Sequence, residues 1–306
     1  MKDLLEEPLQ RNYPEEYLIA RIRGKRGRLI KDWETLFYAP DIPGLLRSSG
    51  YTSAGWSGLL KRYIWIYSEM NDSLRSCFWP YFVWIEFKTL FISLRYIKAG
   101  YIEKAQDILK ISLLSQKIKK LVVSRRDFDS TVKELAVLLG GFYKDFHAAE
   151  EIFLKKGLSG LEIFINNTLM EYLRFLKLHE PLRSFILYLI DMRNIINTYK
   201  SIKWNIPFQD FIGGGRISHR ILEELKNKGS LTGVLDMVRS ITGFSGEVED
   251  SLLKGLGRML RKMSYEPDGK GLILYYLWCL YIENRNAGTI LEGSAIERTL
   301  LRDEII

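Results

Sequence analysis

The stretch Leu189-Ile190-Asp191-Met192-Arg193-Asn194 places an acid, and two residues later a base, inside an apolar helical run. Similar stretches stand about a hundred residues before and after it, which is the signature of an internal repeat. Residues two apart do not face each other on a helix, so each acid and its base should reach different neighbours. We therefore assign these residues to fold architecture. The two further stretches are Trp84-Ile85-Glu86-Phe87-Lys88-Thr89 and Tyr281-Ile282-Glu283-Asn284-Arg285-Asn286.

A second block precedes each of these stretches, so that the two blocks alternate three times. It is a short apolar helix ending in glycine and an aromatic residue: Ile42 to Tyr51, Leu135 to Phe142 and Leu235 to Phe244. So short a helix is not stable alone, but with a glycine cap it can pack on the longer helices that follow. The alternation predicts an all-α protein of three related helical units, and chance similarity among helix-rich segments is the alternative.

Helices are predicted for nearly the whole chain, because apolar residues recur at three- and four-residue spacing, as in Leu161, Ile165 and Leu169. The breaks fall at glycine and proline. The segment Ser294-Ala295-Ile296-Glu297 has the form of a capping box and predicts a last short helix. The predicted helices span about residues 14–33, 41–49, 55–69, 80–98, 101–122, 129–139, 144–155, 158–178, 181–203, 217–228, 231–242, 246–263, 270–285 and 294–303.

The composition is that of a folded, basic protein. Its 306 residues are 47% hydrophobic and 27% charged, with a formal net charge of +8. This excess favours acidic partners, whether nucleic acid, anionic lipid or an acidic protein surface. Cys77 and Cys279 are too few for a disulfide scaffold, and no secretory signal opens the chain. A reducing, cytoplasmic setting fits best.

The longest apolar stretch, from Cys77 to Leu94, has the length of a membrane span. However, Pro80, Glu86 and Lys88 lie inside it, and a charge in the middle of a membrane is costly. We interpret it as a helix buried by other parts of the protein. Any attachment to a membrane should therefore go through a partner.

No pattern of catalytic or cofactor-binding residues is present. The glycines at Gly213, Gly214 and Gly215 lack the lysine of a phosphate-binding loop. The histidines at 147, 179 and 219 are far apart and form no metal-binding pair. Both cysteines sit in apolar surroundings, where a thiol is inert. We predict no catalytic residue, no metal and no cofactor.

A basic cluster near the N-terminus is the strongest candidate for a binding surface. On a helix, Arg21, Lys25 and Arg28 fall along one stripe, and Gly24 and Gly27 between them favour the close approach of another helix. A solvated basic face and contact with nucleic-acid phosphates are the alternatives. The candidate partner-binding residues are Arg21, Arg23, Lys25, Arg26 and Arg28.

Four stretches of the chain stand out together: Tyr17 to Ile30, Ile190 to Lys200, Phe211 to Arg216 and Gly271 to Asn286. In this order they resemble one family, the C subunits of prokaryotic V/A-type ATPases and their eukaryotic counterparts, the d subunits. The first unit departs from the family pattern, since Lys88-Thr89 stands where a base followed by Asn is preferred.

The resemblance implies a funnel of three units around a pseudo-threefold axis. It further implies a non-catalytic subunit that couples a rotating shaft, made of subunits D and F, to the proteolipid ring on the cytoplasmic face of the membrane. Nucleic acid is not an expected partner, although a basic nucleic-acid-binding protein, a helical enzyme and a plain scaffold are the competing interpretations. The predicted parts are an N-terminal closing helix at 1–40 and units at 41–128, 129–229 and 230–306. The predicted structural residues are Glu86, Lys88, Asp191, Arg193, Asn194, Gly213, Gly214, Gly215, Glu283 and Arg285.

Overall fold

A computed structural model describes residues 4–7, 13–30, 33, 41, 42, 44, 46, 55–124, 127–207 and 210–292. Within these ranges the chain forms helices and one isolated β-bridge, between Leu5 and Leu114, so the all-α prediction is confirmed. The α-helices are α1 Glu15–Arg26, α2 Trp56–Glu69, α3 Asp72–Lys98, α4 Ile102–Lys110, α5 Gln116–Val122, α6 Phe128–Phe142, α7 Ala149–Phe175, α8 Glu180–Trp204, α9 His219–Asn227, α10 Leu231–Thr242, α11 Val248–Met263 and α12 Lys270–Glu292.

The chain divides into two compact units. Unit 1 comprises Met1–Glu15 and Leu60–Lys177, and unit 2 comprises Glu16–Leu59 and Leu178–Ile306. The predicted division into three related units around an axis stays a prediction.

Helix α3 forms the centre of unit 1. It begins at Asp72 rather than at the predicted residue 80, because the Asn71 side chain accepts a hydrogen bond from the Leu74 N–H at 2.9 Å and caps the helix. Pro80 therefore lies inside the helix and is buried. Most side chains between Phe78 and Leu94 are buried, as the long apolar stretch predicts.

The prediction of one helix over 101–122 is wrong. Helix α4 ends at Lys110 and α5 begins at Gln116. Between them the backbone bonds elsewhere: the Leu113 N–H donates to the Glu86 carboxylate, and the Ser115 N–H donates to the Leu4 carbonyl. Long-range partners for these N–H groups outweigh the local helical pattern.

The predicted break near Gly157 is present within α7. Gly157 has a φ of 67°, in the left-handed region, and kinks the helix there. Residues Lys144–Ala148, predicted as the start of an α-helix, form a 3-10 turn that leads into α7.

Unit 2 is built around α8, which packs against α9, α10, α11 and α12. Pro181 occupies the first turn of α8, where its missing N–H costs nothing. Helix α10 ends at Gly243, whose φ of 70° permits a left-handed cap. The apolar core beside α8 is formed by Ile195, Leu222, Val234, Val238, Val248 and Leu252.

The N-terminal helix α1 ends at Arg26, short of the predicted residue 33, in a turn over residues 27–28. The predicted helix at 294–303, with its capping box, lies outside the described residues. Of the helices described, none combines the length and the apolar character that a membrane crossing requires.

Candidate functional site

Helix α1 buries one narrow face and carries its cations on the others, where Arg23 is exposed and Arg21, Lys25 and Arg26 are half-buried. Leu18 and Ile22, four residues apart, are the buried side chains of this helix. Arg21, Lys25 and Arg28 line an open groove of about 350 Å³ together with Gly24. The stripe predicted from the spacing is therefore present on the surface of unit 2.

The space above Gly24 is open among the described residues, since a Cβ placed there would have no neighbour within 4 Å. The close approach of a helix predicted for Gly24 and Gly27 is thus not made by the described part of this chain.

A larger cavity of about 820 Å³ also lies within unit 2. Arg26 faces it, with its guanidinium 5.3 Å from the centre of the Tyr275 ring. Arg23 is exposed and lines neither the groove nor the cavity. Of the five predicted basic residues, three therefore line the groove, Arg26 lines the cavity and Arg23 lies on the exposed surface outside both.

Three further cations line the cavity and were not predicted. Lys254, Arg258 and Arg261 lie at steps of four and three along α11, so they form a stripe on one face of that helix. The signal was present in the sequence as the spacing of these bases. Arg258 is held at the wall, because its Nη1 donates to the Thr242 carbonyl at 2.8 Å and its guanidinium lies 4.1 Å from the Phe244 ring centre.

Aromatic and apolar side chains also line the cavity. Burial raises the pKa of Cys279 to about 11, with the charge of Glu283 adding to the effect. The thiol is therefore protonated at neutral pH and is no nucleophile. The aromatic lining consists of Trp33, Phe244, Tyr275 and Trp278.

The predicted structural acids hold loops in place. In unit 1 the buried Glu86 accepts the Leu113 N–H at 2.7 Å and the Ser112 hydroxyl at 2.8 Å. Burial raises the pKa of Glu86 to about 7 from its ordinary value of 4.5, and the bonds from Leu113 and Ser112 oppose the rise.

Asp191 makes the corresponding contacts in unit 2. Its carboxylate accepts the Arg216 N–H at 3.1 Å and the Ile217 N–H at 3.0 Å. Burial raises the pKa of Asp191, whereas these N–H donors and the charges of Arg216 and His219 lower it.

The glycine turn at 213–215 brings the backbone close to Asp191. A Cβ on Gly215 would collide with the Asp191 carboxylate, so only glycine fits at this position. Gly214 has a φ of 88° and turns the chain, whereas Gly213 is half-buried beside it. Asn194 holds the start of the same turn, because its amide accepts the Ile212 N–H at 3.0 Å and donates to the Ile212 carbonyl at 2.9 Å.

Glu283 is the third acid, and it also binds a backbone N–H. Its Oε1 accepts the Ile30 N–H at 2.7 Å, just after α1, within unit 2. Each predicted acid therefore accepts a hydrogen bond from a loop that follows a helix. The loop held by Glu283 lies before its acid in the chain rather than after it.

Two of the three bases contact groups other than the acids of their blocks. The Lys88 ammonium lies 4.2 Å from the centre of the Trp84 ring, and an Arg285 Nη2 lies 3.3 Å from Asp250 Oδ1. The third base, Arg193, is half-buried, and burial lowers its pKa.

The three histidines lie apart. His179 and His219 contact Asp268 and the Ile212 carbonyl, each at 3.1 Å, and His147 is exposed. Among the described residues, no group of three or more His, Cys, Asp or Glu side chains has the arrangement of a metal site.

These features define an all-helical protein in which buried carboxylates fix loops and surface cations line open clefts. The chain belongs to the ATP synthase (C/AC39) subunit family, because the model of that family matches residues 56–305. The resemblance to V/A-type ATPase subunits drawn from the sequence is thereby confirmed. Helix α1, which carried part of that resemblance, precedes the matched residues. A comparison with curated protein sequences gives no match.

Proposed function

We propose that this chain is the non-catalytic coupling subunit of a V/A-type rotary ATPase. It would join the rotating shaft, made of subunits D and F, to the proteolipid ring at the cytoplasmic face of the membrane. Membrane contact would be made through these partners alone. The observation that supports the proposal most strongly is membership of the ATP synthase (C/AC39) subunit family.

The packing of the chain suits the transmission of torque. A subunit between a shaft and a ring must resist deformation and needs no reactive group. Long, closely packed helices resist deformation, and the loops between them are fixed by Glu86, Asp191 and Glu283. The one thiol in the large cavity, Cys279, is protonated at neutral pH, which suits a subunit that performs no nucleophilic chemistry.

The three acid-bound loops also support the proposed three-unit organisation. Glu86 and Asp191 each bind a loop that lies 25 to 27 residues further along the chain. Glu283 binds Ile30 near the N-terminus, which is the contact expected if the N-terminal helix completes the third unit.

The test is a pull-down of the tagged chain from detergent-solubilised host membranes at moderate salt, followed by mass spectrometry. Recovery of subunits D and F with the ring proteolipid is the expected result. Recovery of nucleic acid or unrelated proteins, without ATPase subunits, would refute the proposal.

Charge reversal then tests the basic groove as the contact surface. Arg21, Lys25 and Arg28 are changed together to Glu, and recovery of the ATPase subunits should fall severalfold because opposite charges now meet. The matched control changes Lys104, Lys117 and Lys120, exposed bases of unit 1, to Glu. An equal fall in both variants would indicate a general effect of net charge.

A further inference from the structure

The cavity of unit 2 combines a line of cations with an apolar wall. Lys254, Arg258 and Arg261 stand at steps of four and three on α11, and Arg26 faces the same space from α1. The three cations of α11 extend over about 10 Å at the rise of an α-helix. Of the described residues that line the cavity, Glu283 is the only acid, and its carboxylate is buried and bonded to Ile30.

Apolar side chains also line the cavity. Ile282 comes from α12 and Leu29 follows α1, and both are half-buried, whereas Trp278 and Trp33 are buried. A ligand that fits must therefore present both negative charge and apolar groups.

We propose that this cavity is a docking cleft for an acidic amphipathic helix of a partner chain. Such a helix carries carboxylates at steps of three and four, which matches the spacing of the cations on α11. Its apolar face would pack against Ile282 and Leu29. A single phosphate group would not use the length of this stripe, and the described residues that line the cavity include no glycine loop to surround a phosphate.

Gly257 offers a position from which the occupant can be captured. It lines the cavity between Lys254 and Arg261, and a Cβ there would meet only the Trp278 ring, at 3.4 Å. Gly257 is replaced by the photo-crosslinking residue p-benzoyl-phenylalanine in the tagged chain, which is purified in complex from host membranes. After irradiation, mass spectrometry identifies the crosslinked segment.

The expected result is a crosslink to a partner segment with net negative charge and with carboxylates at helical spacing. The yield should fall about tenfold or more when Lys254 and Arg261 are changed to Glu, because two charge-assisted contacts become repulsive. Arg258 is left unchanged, since its bond to the Thr242 carbonyl supports the fold. The control changes Lys228 and Arg239, exposed bases of unit 2 outside the cavity, to Glu.

Three results would overturn the inference: no crosslink, a crosslink only within this chain, or a crosslink to a segment without acidic residues. An equal loss of yield in the test and control variants would also overturn it. The outcome is separable from the proposed function. Recovery of the ATPase subunits without an acidic crosslink would refute the docking cleft alone, and an acidic crosslink without those subunits would refute only the coupling function.

Discussion

Units 1 and 2 each fix a loop with a buried carboxylate, but the charges around the two carboxylates differ. Glu86 in unit 1 is fully enclosed, and the one cation that lowers its pKa is Lys119. Asp191 in unit 2 has both Arg216 and His219 nearby. The two loops thus depend on the same type of hydrogen bond in different electrostatic surroundings.

This difference shows that Glu86 and Asp191 make similar hydrogen bonds although their surroundings affect ionisation differently. The backbone N–H groups of Leu113 and Ile217 are bound at 2.7 and 3.0 Å, respectively. In unit 1, however, the acid titrates near neutral pH, because little nearby charge compensates for its burial. The stability of unit 1 should therefore depend on pH through this residue.

The largest effect is expected from Asp191→Leu. The substitution leaves the N–H groups of Arg216 and Ile217 without their acceptor, which should lower the free energy of unfolding by about 3–5 kcal/mol. Urea denaturation followed by circular dichroism measures the change. Asp236→Leu, at an exposed position on α10, is the control. Equal losses in both variants would contradict the assigned importance of Asp191.

The next effect concerns pH in unit 1. Because the pKa of Glu86 is raised to about 7 in the folded state from 4.5, the folded state retains the proton that the unfolded state releases. The contribution of Glu86 to the free energy of unfolding should decrease by roughly 3 kcal/mol between pH 4.5 and 7 and then level off. Glu86→Gln removes this titration and keeps an acceptor for Leu113.

The free energy of unfolding of the Gln variant, relative to that of the unchanged protein, should therefore rise as the pH increases from 4.5 to 7. Chemical denaturation at several pH values measures it, and Glu103→Gln at an exposed site of unit 1 controls for the loss of one carboxylate. A constant difference across the range would show that Glu86 does not titrate as inferred.

A smaller effect is expected at Asn194, which stands three positions after Asp191. In unit 1 the residue three positions after Glu86 is Thr89, so Asn194 is replaced by threonine. Asn194→Thr removes both bonds to Ile212, while a Thr hydroxyl can still donate to the carbonyl four residues earlier, as Thr89 does to Ile85. The free energy of unfolding should fall by about 2 kcal/mol. Thermal denaturation compares this variant with Asn227→Thr at an exposed site. An unchanged melting temperature would show that the turn at Ile212 needs no side-chain support.

The smallest effect is expected at a carboxylate that pairs with an exposed cation. Arg95 pairs with Glu162 on unit 1, and 65% of the Arg95 side chain but only 12% of the Glu162 side chain is exposed. A double-mutant cycle of Arg95→Ala and Glu162→Ala should give a coupling of about 0.5 kcal/mol that decreases in high salt. A coupling as large as the loss caused by Asp191→Leu would show that a carboxylate paired with a surface cation stabilises the fold as strongly as one that binds the N–H groups of a loop.

The sequence predicted several features that depend on local chemistry. The period of apolar residues indicated helices, and left-handed glycines mark the ends and kinks at Gly157 and Gly243. The cation stripe of Arg21, Lys25 and Arg28 followed from spacing alone and lines one groove. The prediction of one helix over 101–122 was wrong. The residues there have a helical pattern, but the Leu113 N–H donates to Glu86, an acceptor from elsewhere in the chain, and the helix is interrupted.

By itself the sequence determined the helical class, the repeated acid-and-base blocks and the family resemblance, because these depend on residue type and spacing. Only the tertiary structure decided what each acid binds, since the partners of Glu86 and Glu283 lie 27 and 253 residues away in the chain. It also decided that Arg26 shares a cavity with Lys254, Arg258 and Arg261. Contacts between distant segments depend on how whole helices pack, and no local pattern of residues specifies that packing.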